Sequence, residues 1–484
     1  MNREIGGGEF LPRKIGECPT RPEEVDPHPG SETRIYEMQM ITPIFGGGAE
    51  AEVNDPVTLI RPSSIRGHLR FWWRATRGAK CKTVNELRKK EGEIWGTPEN
   101  PSSVCIEVVV EEQDDPFECA SYKHRGDGGY RLEWSAPFNV QRSSLPYVLF
   151  PFQGKAPESD EPKNPSKMVK SARFKLITHI SSANGDNIEK DVEAAVWAWV
   201  NFGGIGARTR RGCGALYCLN PKSLTPPSFE EFKKWLIERS EHYEHPTMHS
   251  PPSSEEDAIL AKSSFSVATH SSSSLRTWPT LGRILLKDGR DSISSWDECI
   301  KVMNDLRQRS EGRDRGSTMR PGRSRWPEPE SLRKLIVTQK HLVSRPRKMH
   351  PPDHRMKNII AFPRVEFGMP TIIEIRKEGI KPTLQPDKDH DRMASPLILK
   401  PVRFSNGRFA SMIIRLNSPP LDTAYVKPGK NDLEFGHPIS LSEIRDTRLA
   451  SYPDSPIDKF CSTGSALDAF ISFALSRGFV EVGL

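Results

Sequence analysis

Residues Arg61 to Gly78 read Arg-Pro-Ser-Ser-Ile-Arg-Gly-His-Leu-Arg-Phe-Trp-Trp-Arg-Ala-Thr-Arg-Gly. Ile65, Leu69, Trp72, Trp73 and Thr76 recur at helical spacing and define one face that must be buried. Arg66, Arg70, Arg74 and Arg77 recur at steps of four, four and three on another. Pro62 with Ser63 and Ser64 forms a helix-start signal, a serine hydroxyl accepting from the free amides of the first turn, and Gly78 is a stop. No acidic residue occurs from Val57 through Asn85, so nothing inside the segment neutralises the guanidinium groups. Like charges at that spacing cost stability in isolation. A polyanion lying along the stripe turns that cost into binding energy, and a helix N-terminus adds a place for phosphate.

At 484 residues, with 42 prolines and 35 glycines, the chain calls for two domains carrying long loops. The formal charge of +7 is modest, but the basic residues cluster at Arg61–Lys82, Arg208–Arg211 and Arg307–Lys348. That distribution describes a track for a polyanion. Eight cysteines are scattered without a Cys-x-x-Cys pair, so no zinc site or cofactor is expected and the thiols read as reduced. No apolar run of about 18 residues is present to span a membrane, and the N-terminus lacks a signal core, so the expected location is the cytoplasm.

Along the chain, residues 1–30 read as a loose tail. Arg34 to Phe45 is a strand, followed by the Gly46-Gly47-Gly48 loop and the arginine helix. Val104–Val110, Tyr147–Phe152 and Phe174–Ile180 are β-rich runs, and Gln153–Ser171 is a polar insertion expected to be mobile. Asn187–Phe202 is a helix and Ala215–Leu219 a strand. Residues 31–220 therefore form an N-terminal unit, 221–262 a linker, and 263–484 a C-terminal unit. The latter holds a strand at Thr280–Leu286, helices at Trp296–Arg309 and Glu330–Leu342, and an interrupted strand at Val365–Ile375. A hairpin through Asn406-Gly407, a helix at Ser465–Ser476 and a strand at Phe479–Val482 complete it. Both units predict an α+β fold of ferredoxin-like, RRM-like βαββαβ domains with long insertions and a glycine-rich loop.

That loop, Gly203 to Gly214, places glycines including Gly204 and Gly206 beside Arg208, Arg210 and Arg211. An amide nest crested by arginines is a phosphate site in physical terms, although it lacks the Gly-Lys-Ser/Thr ending of a P-loop. Gly46 to Ala51 formally fits a dinucleotide fingerprint, but Glu50, Glu52 and Asp55 repel a pyrophosphate and Pro56 breaks the helix. Arg323, Arg325 and Trp326 combine two charged forks with an indole, the pairing used on single strands. His68, between Arg66 and Arg70, reads as a phosphate or base contact more readily than as a general acid–base group, its pKa lowered by like charge. His242, His245 and His249 read as unpaired surface histidines, not as a metal site.

The Ser63–Arg74 run resembles the signature of the first subunit of the Cmr effector module of type III-B CRISPR systems, within the RAMP superfamily. Gly203–Gly214 is similar to that superfamily's G-loop. Gly322 to Glu328, Phe362-Pro363-Arg364, Phe367 to Pro370 and Arg392 to Leu397 match as well. The resemblance implies a non-catalytic RNA-binding subunit near the 3′ side of the guide crRNA. Its partners would be guide and target RNA and a neighbouring RAMP backbone subunit. RNA contact falls on Ser64, Arg66, His68, Arg70, Arg74 and Arg77 of the helix, on Gly204, Gly206, Arg208, Arg210 and Arg211 of the loop, and on Arg323, Arg325 and Trp326. The alternative is a metal-independent endoribonuclease using His68.

Overall fold

The computed structural model describes residues 30–46, 53–55, 58–126, 128–139, 142–159, 161–181, 186–245, 278–314, 323–338, 359–374, 381–427, 429 and 436–482. Residues 1–29 of the expected tail, Gly47, Gly48, His249 and Gly322 lie outside the described residues. The architecture is mixed α+β with antiparallel sheets.

In the first unit, strands β1 (Ser31–Met40), β2 (Val104–Gln113), β3 (Ala172–Ser181) and β4 (Leu216–Asn220) form one antiparallel sheet in the order β2-β3-β1-β4. Alternation places Tyr36, Met38 and Met40 of β1 and Phe174, Leu176 and Ile180 of β3 on its buried face. Helix α1 (Pro62–Ala75) follows β1, and α3 (Asp186–Phe202) joins β3 to β4. Between α1 and β2 lies α2 (Val84–Trp95), which the sequence reading did not separate out. The Thr83 side chain accepts from the Glu86 amide, and the Glu86 carboxylate accepts from the Lys82 amide, which fixes its start. The second half of α3 is buried all round, with Ala194, Ala195, Val196, Trp197, Ala198 and Trp199 inaccessible. A helix of that kind has neighbours on every side.

The second unit supplies them. Its strands β5 (Thr280–Gly289), β6 (Leu397–Arg403), β7 (Phe409–Asn417) and β8 (Val480–Glu481) pair in the order β6-β7-β5-β8. Helices α5 (Ser292–Gln308), α6 (Glu328–Thr338) and α7 (Ala466–Ser476) complete it. Its strands are near-continuous apolar runs because both faces are covered. Ile284, Leu286, Ile398, Val402, Met412 and Ile414 join the core of the first unit, whereas Leu285, Leu397, Leu399 and Ile413 face the core that holds Trp296 and Phe470. The result is four layers: sheet, helices, sheet, helices. A smaller four-stranded sheet, built from Thr371–Ile372, Thr383–Gln385, Thr423–Lys427 and His437–Ser440, has its own cluster around Phe362 and Val426.

Several expectations are corrected. The residue preceding α1 is Arg61, with no side-chain cap, and Pro62 at the first position presets the turn in place of a serine cap. Tyr147–Phe152 is not a strand. Pro146 starts a helical turn that runs into a 3-10 turn at Phe150–Phe152. The polar insertion carries the strand Lys167–Val169, pinned by buried Met168 and Val169 between Ile44–Phe45 and Phe117–Glu118. Within the expected linker, α4 (Phe232–His242) buries Phe232, Trp235 and Leu236 in the main core. His245 is fully buried, its Nε2 3.2 Å from the Ala75 carbonyl, so it is a core histidine. In place of the strand expected at Val365–Ile375, the described residues form a 3-10 turn, Pro363–Phe367, and a two-residue strand, Thr371–Ile372; Ile375 lies outside the described residues.

The two units meet at a buried lysine. From β6, the Lys400 ammonium donates to the carbonyls of Val200 (3.1 Å), Asn201 (2.9 Å) and Gly203 (2.9 Å). These are the orphan acceptors at the C-terminal end of α3, where a cation also meets the negative end of the helix dipole. Burial pushes Lys400 down from 10.5 to about 7. Between those values the unfolded chain binds the extra proton, so this group's contribution to stability rises as pH increases from about 7 toward 10.5. Lys400→Met should abolish that rising component in melting temperature measured against pH. A variant whose curve runs parallel to wild type would mean that Lys400 stays charged in the fold.

Candidate nucleic-acid interface

Helix α1 buries Ile65, Leu69, Trp72, Trp73 and Ala75, as its spacing dictates, and Thr76 Oγ1 closes its end on the Trp72 carbonyl at 2.7 Å. The arginines do not form a free stripe, because other elements bring their partners. Arg66 donates to the carbonyls of Trp95 (3.2 Å) and Val104 (3.0 Å) and to Ser102 Oγ (2.8 Å). Arg77 is paired with Asp191 and donates to Asn187 Oδ1 at 2.7 Å. Its side chain is only 9% exposed. Both are tied into the structure rather than presented to a ligand.

Arg70 and Arg74 are different. Arg70 Nε and Arg74 Nη1 each donate at 2.6 Å to the same oxygen, Oε1 of Glu91 on α2. Glu91 is 8% exposed, while the two guanidinium groups are 38% and 32% exposed. One carboxylate between two cations leaves a net positive charge, and each planar fork keeps donors pointing outward. Glu91 therefore holds the pair in position without cancelling it.

The glycine-rich loop is packed tightly against its surroundings, not open as a nest of free amides. The amides of Ile205, Ala207 and Gly214 donate to Gly214, Phe45 and Pro43 carbonyls at 2.9, 2.7 and 2.9 Å. Gly204 is buried and its carbonyl accepts from Trp199 Nε1 at 3.0 Å. Gly206 (φ +82°) and Gly212 (φ +88°) occupy left-handed conformations in which a Cβ would meet Ile44 Cγ1 at 2.5 Å and Trp296 Nε1 at 2.4 Å. These glycines serve backbone packing at the seam between units. The loop's arginines are only partly exposed, Arg210 and Arg211 turning back to backbone carbonyls of the second unit.

Arg210 donates to the Ser395 carbonyl, and its guanidinium lies 5.4 Å from the centroid of Phe71 on α1. Arg211 donates to the Leu397 carbonyl at 2.9 Å. Burial, then the charge of Arg307, pushes its pKa down. Arg208, in a left-handed conformation (φ +58°), sits 5.6 Å over Phe150. Ser64 is half-buried in the first turn of α1. His68 stacks on Trp199 at 6.3 Å, and burial lowers its pKa; neighbouring arginines are not the cause. The helix and loop thus meet through Phe71–Arg210, while His68–Trp199 joins α1 to α3.

The third group does not join them as a stacking site. Trp326 is 1% exposed and donates from Nε1 to the Leu306 carbonyl at 2.9 Å, so its indole is core and unavailable to a base. Arg323 pairs with Glu330 at 2.7 Å and Arg325 with Asp314 at 3.0 Å. Glu328 accepts from both Nε (2.9 Å) and the backbone amide (2.7 Å) of Arg364, whose guanidinium lies 5.8 Å from Trp326. The motif segments of the second unit are therefore knitted to one another. Among the described residues no cluster of His, Cys, Asp and Glu fits a metal ion, and no helix is long and apolar enough to cross a membrane.

The RAMP superfamily profile matches residues 37–217, from β1 to β4. The match to the superfamily covers this segment alone, well under half of the chain. The Cmr1-2 subunit of the Pyrococcus furiosus CRISPR Cmr system is 26% identical over 188 residues, spanning 38% of this chain and 92% of the relative. The Cmr1-1 subunit from the same organism is 22% identical over 165 residues, 34% of this chain and 42% of that one. The crystal structure of apo Cmr1 from Pyrococcus furiosus covers 93% of this chain and 99% of its own at 14% identity, with a TM-score of 0.45. The RAMP segment contains α1, α2 and the glycine-rich loop, and hence Arg70, Arg74, Glu91 and Arg210.

Glu91 was the residue that the sequence reading missed. The signal was present in Thr83 followed by Glu86 at capping-box spacing, ahead of Leu87, Ile94 and Trp95. Glu91→Gln should lower stability by about 1–3 kcal/mol, discounted from a fully buried pair because both arginines are partly solvated. It should leave polyanion binding equal or tighter. A thermal melt unchanged from wild type would show that Glu91 does not hold the pair.

Proposed function

We propose that this chain is a non-catalytic RNA-binding subunit of a type III-B CRISPR Cmr ribonucleoprotein in the prokaryotic cytoplasm. In that setting it meets the guide crRNA near its 3′ side, the target RNA and a neighbouring RAMP backbone subunit. The observation that carries the reading is the surface joining Arg70 and Arg74 to Arg210 through Phe71. Guanidinium forks held by protein partners suit phosphate oxygens, which position a strand without reading its sequence. The similarity to Cmr subunits along the RAMP segment supports the assembly.

We also propose that each unit is a ferredoxin-like, RRM-like domain, the first extended beyond residue 220 to include α4. In each four-stranded sheet the first strand lies between the third and fourth and the second lies at the outer edge, with helices in both crossovers. That order supports a βαββαβ unit.

Full-length protein should bind unstructured RNA with log affinity falling against log salt at a slope of roughly −3.5, from about five phosphates at ~0.7 each. Arg70→Gln/Arg74→Gln/Glu91→Gln removes two cations and their shared carboxylate together, and should flatten the slope by about 1.4. A slope near zero in wild type overturns the reading. Repeat RNA should remain intact when incubated with the protein in chelator. Cutting that His68→Ala stops would establish the endoribonuclease alternative instead.

A further inference from the structure

A separate open cleft of about 690 Å³ lies between α2, the C-terminal end of α1 and the first turns of α3. Its volume falls in the range of ligand pockets. Five cations line it, Arg77, Lys80, Arg88, Lys89 and Lys90, against the two carboxylates of Glu93 and Asp191. Three of the five are engaged: Arg77 with Asp191, Lys80 with Glu244, and Lys90 with Glu86 at 3.0 Å.

Arg88 and Lys89 are exposed and make no ion pair among the described residues. They stand on a helix whose opposite duty is to offer Glu91 to Arg70 and Arg74, so α2 presents its two uncommitted cations to the cleft. The floor is fixed. Trp73 is buried and donates to Asp191 at 3.0 Å, and Arg77 is clamped by Asp191, Asn187 and the Tyr243 carbonyl. The first turn of α3, through Asn187 and Ile188, adds the positive end of a 17-residue helix dipole. A rigid polar floor, a dipole and two unspent cations make a receptor for phosphate. Trp73, Ile94 and Ile188 also line the cleft, and among the described residues no group of His, Cys, Asp and Glu fits a metal ion.

We propose that this cleft is a second phosphodiester-binding subsite, in which Arg88 and Lys89 hold the backbone of single-stranded RNA. This rests on the RNA-binding reading above and adds residues outside the α1–loop surface. A strand engaged by Arg70 and Arg74 beside Glu91 continues along α2 to Arg88, one turn before Glu91, and to Lys89. Arg77 and Lys80 contribute field, not contacts, because carboxylates already hold them.

The test uses the full chain and the variant Arg88→Ala/Lys89→Ala, whose truncated side chains are exposed and whose melt should match wild type. Binding of a labelled 15-nucleotide unstructured RNA should weaken roughly ten-fold near 0.1 M salt, with the salt slope flattened by about 1.4. An unchanged affinity and slope overturns the subsite while leaving the α1–loop surface standing. If wild type binds no RNA, the functional reading fails by itself, and inorganic tripolyphosphate then decides the cleft. A melting-temperature increase in wild type that the double variant loses supports a phosphate receptor. No increase, or the same increase in both proteins, overturns it.

Discussion

The structure depends on how α3 ends. Its last turn runs between two sheets, so the carbonyls of Val200, Asn201 and Gly203 have no water to turn to, and Lys400 from the other unit satisfies all three. A buried ammonium is costly to desolvate. Three acceptors at a helix C-terminus offset part of that cost, and the remainder shows as the lowered Lys400 pKa. The same interaction sets the start of the glycine-rich loop, because Gly203 is both the last acceptor and its first residue. From there Thr42 Oγ1 donates to the Gly212 carbonyl at 2.7 Å, and Trp296 Nε1 donates to the Arg211 carbonyl at 2.6 Å. The loop is thus held from both units, and Arg210 reaches Phe71 because its backbone has nowhere else to go.

Electrostatics on α1 follows the same logic of partners supplied from a distance. Four arginines at helical spacing looked like a stripe, but their fates divide by neighbour. Arg66 falls against backbone carbonyls beside β2, and Arg77 against Asp191 on α3. Arg70 and Arg74 share one carboxylate. A one-to-one pairing would have erased the site, and no pairing would have left two long side chains to lose their entropy on binding. The two-to-one arrangement keeps charge and order together.

Legibility divides along the same line between local and distant causes. The hairpin Leu397–Arg403 to Phe409–Asn417 was readable because Asn406-Gly407 needs the positive φ that Gly407 adopts (+85°). The core of α1 was readable from period alone. Met168–Val169 was missed because a short apolar cluster in polar surroundings carries little periodic signal, and the amphipathic piece near Phe232 to Ile237 was legible but was assigned to a linker, because its docking on the main core is a tertiary fact. Trp326 was misread for the opposite reason. Arginines on both sides imply a stacking platform until Leu306 and Arg364 are seen to enclose the indole. For the candidate site, a helix and a loop could be named from sequence, but which arginines stay available depends on Glu91 and Asp191, and neither lies within the α1 segment.

The position of α2 then explains why the charge of this chain is placed as it is. With a net charge of only +7 spread over 484 residues, long-range attraction to a polyanion must come from local asymmetry. One side of α2 turns a carboxylate inward to organise α1, and another turns Arg88 and Lys89 outward over the cleft. A helix inserted between α1 and β2 therefore sets the electrostatics of the surfaces on both its sides. The same sheet and crossovers without α2 would leave Arg70 and Arg74 unordered and the cleft without a wall. The geometry of the α1 arginines is consequently set by an element outside α1, through the Glu91 carboxylate that Arg70 and Arg74 share.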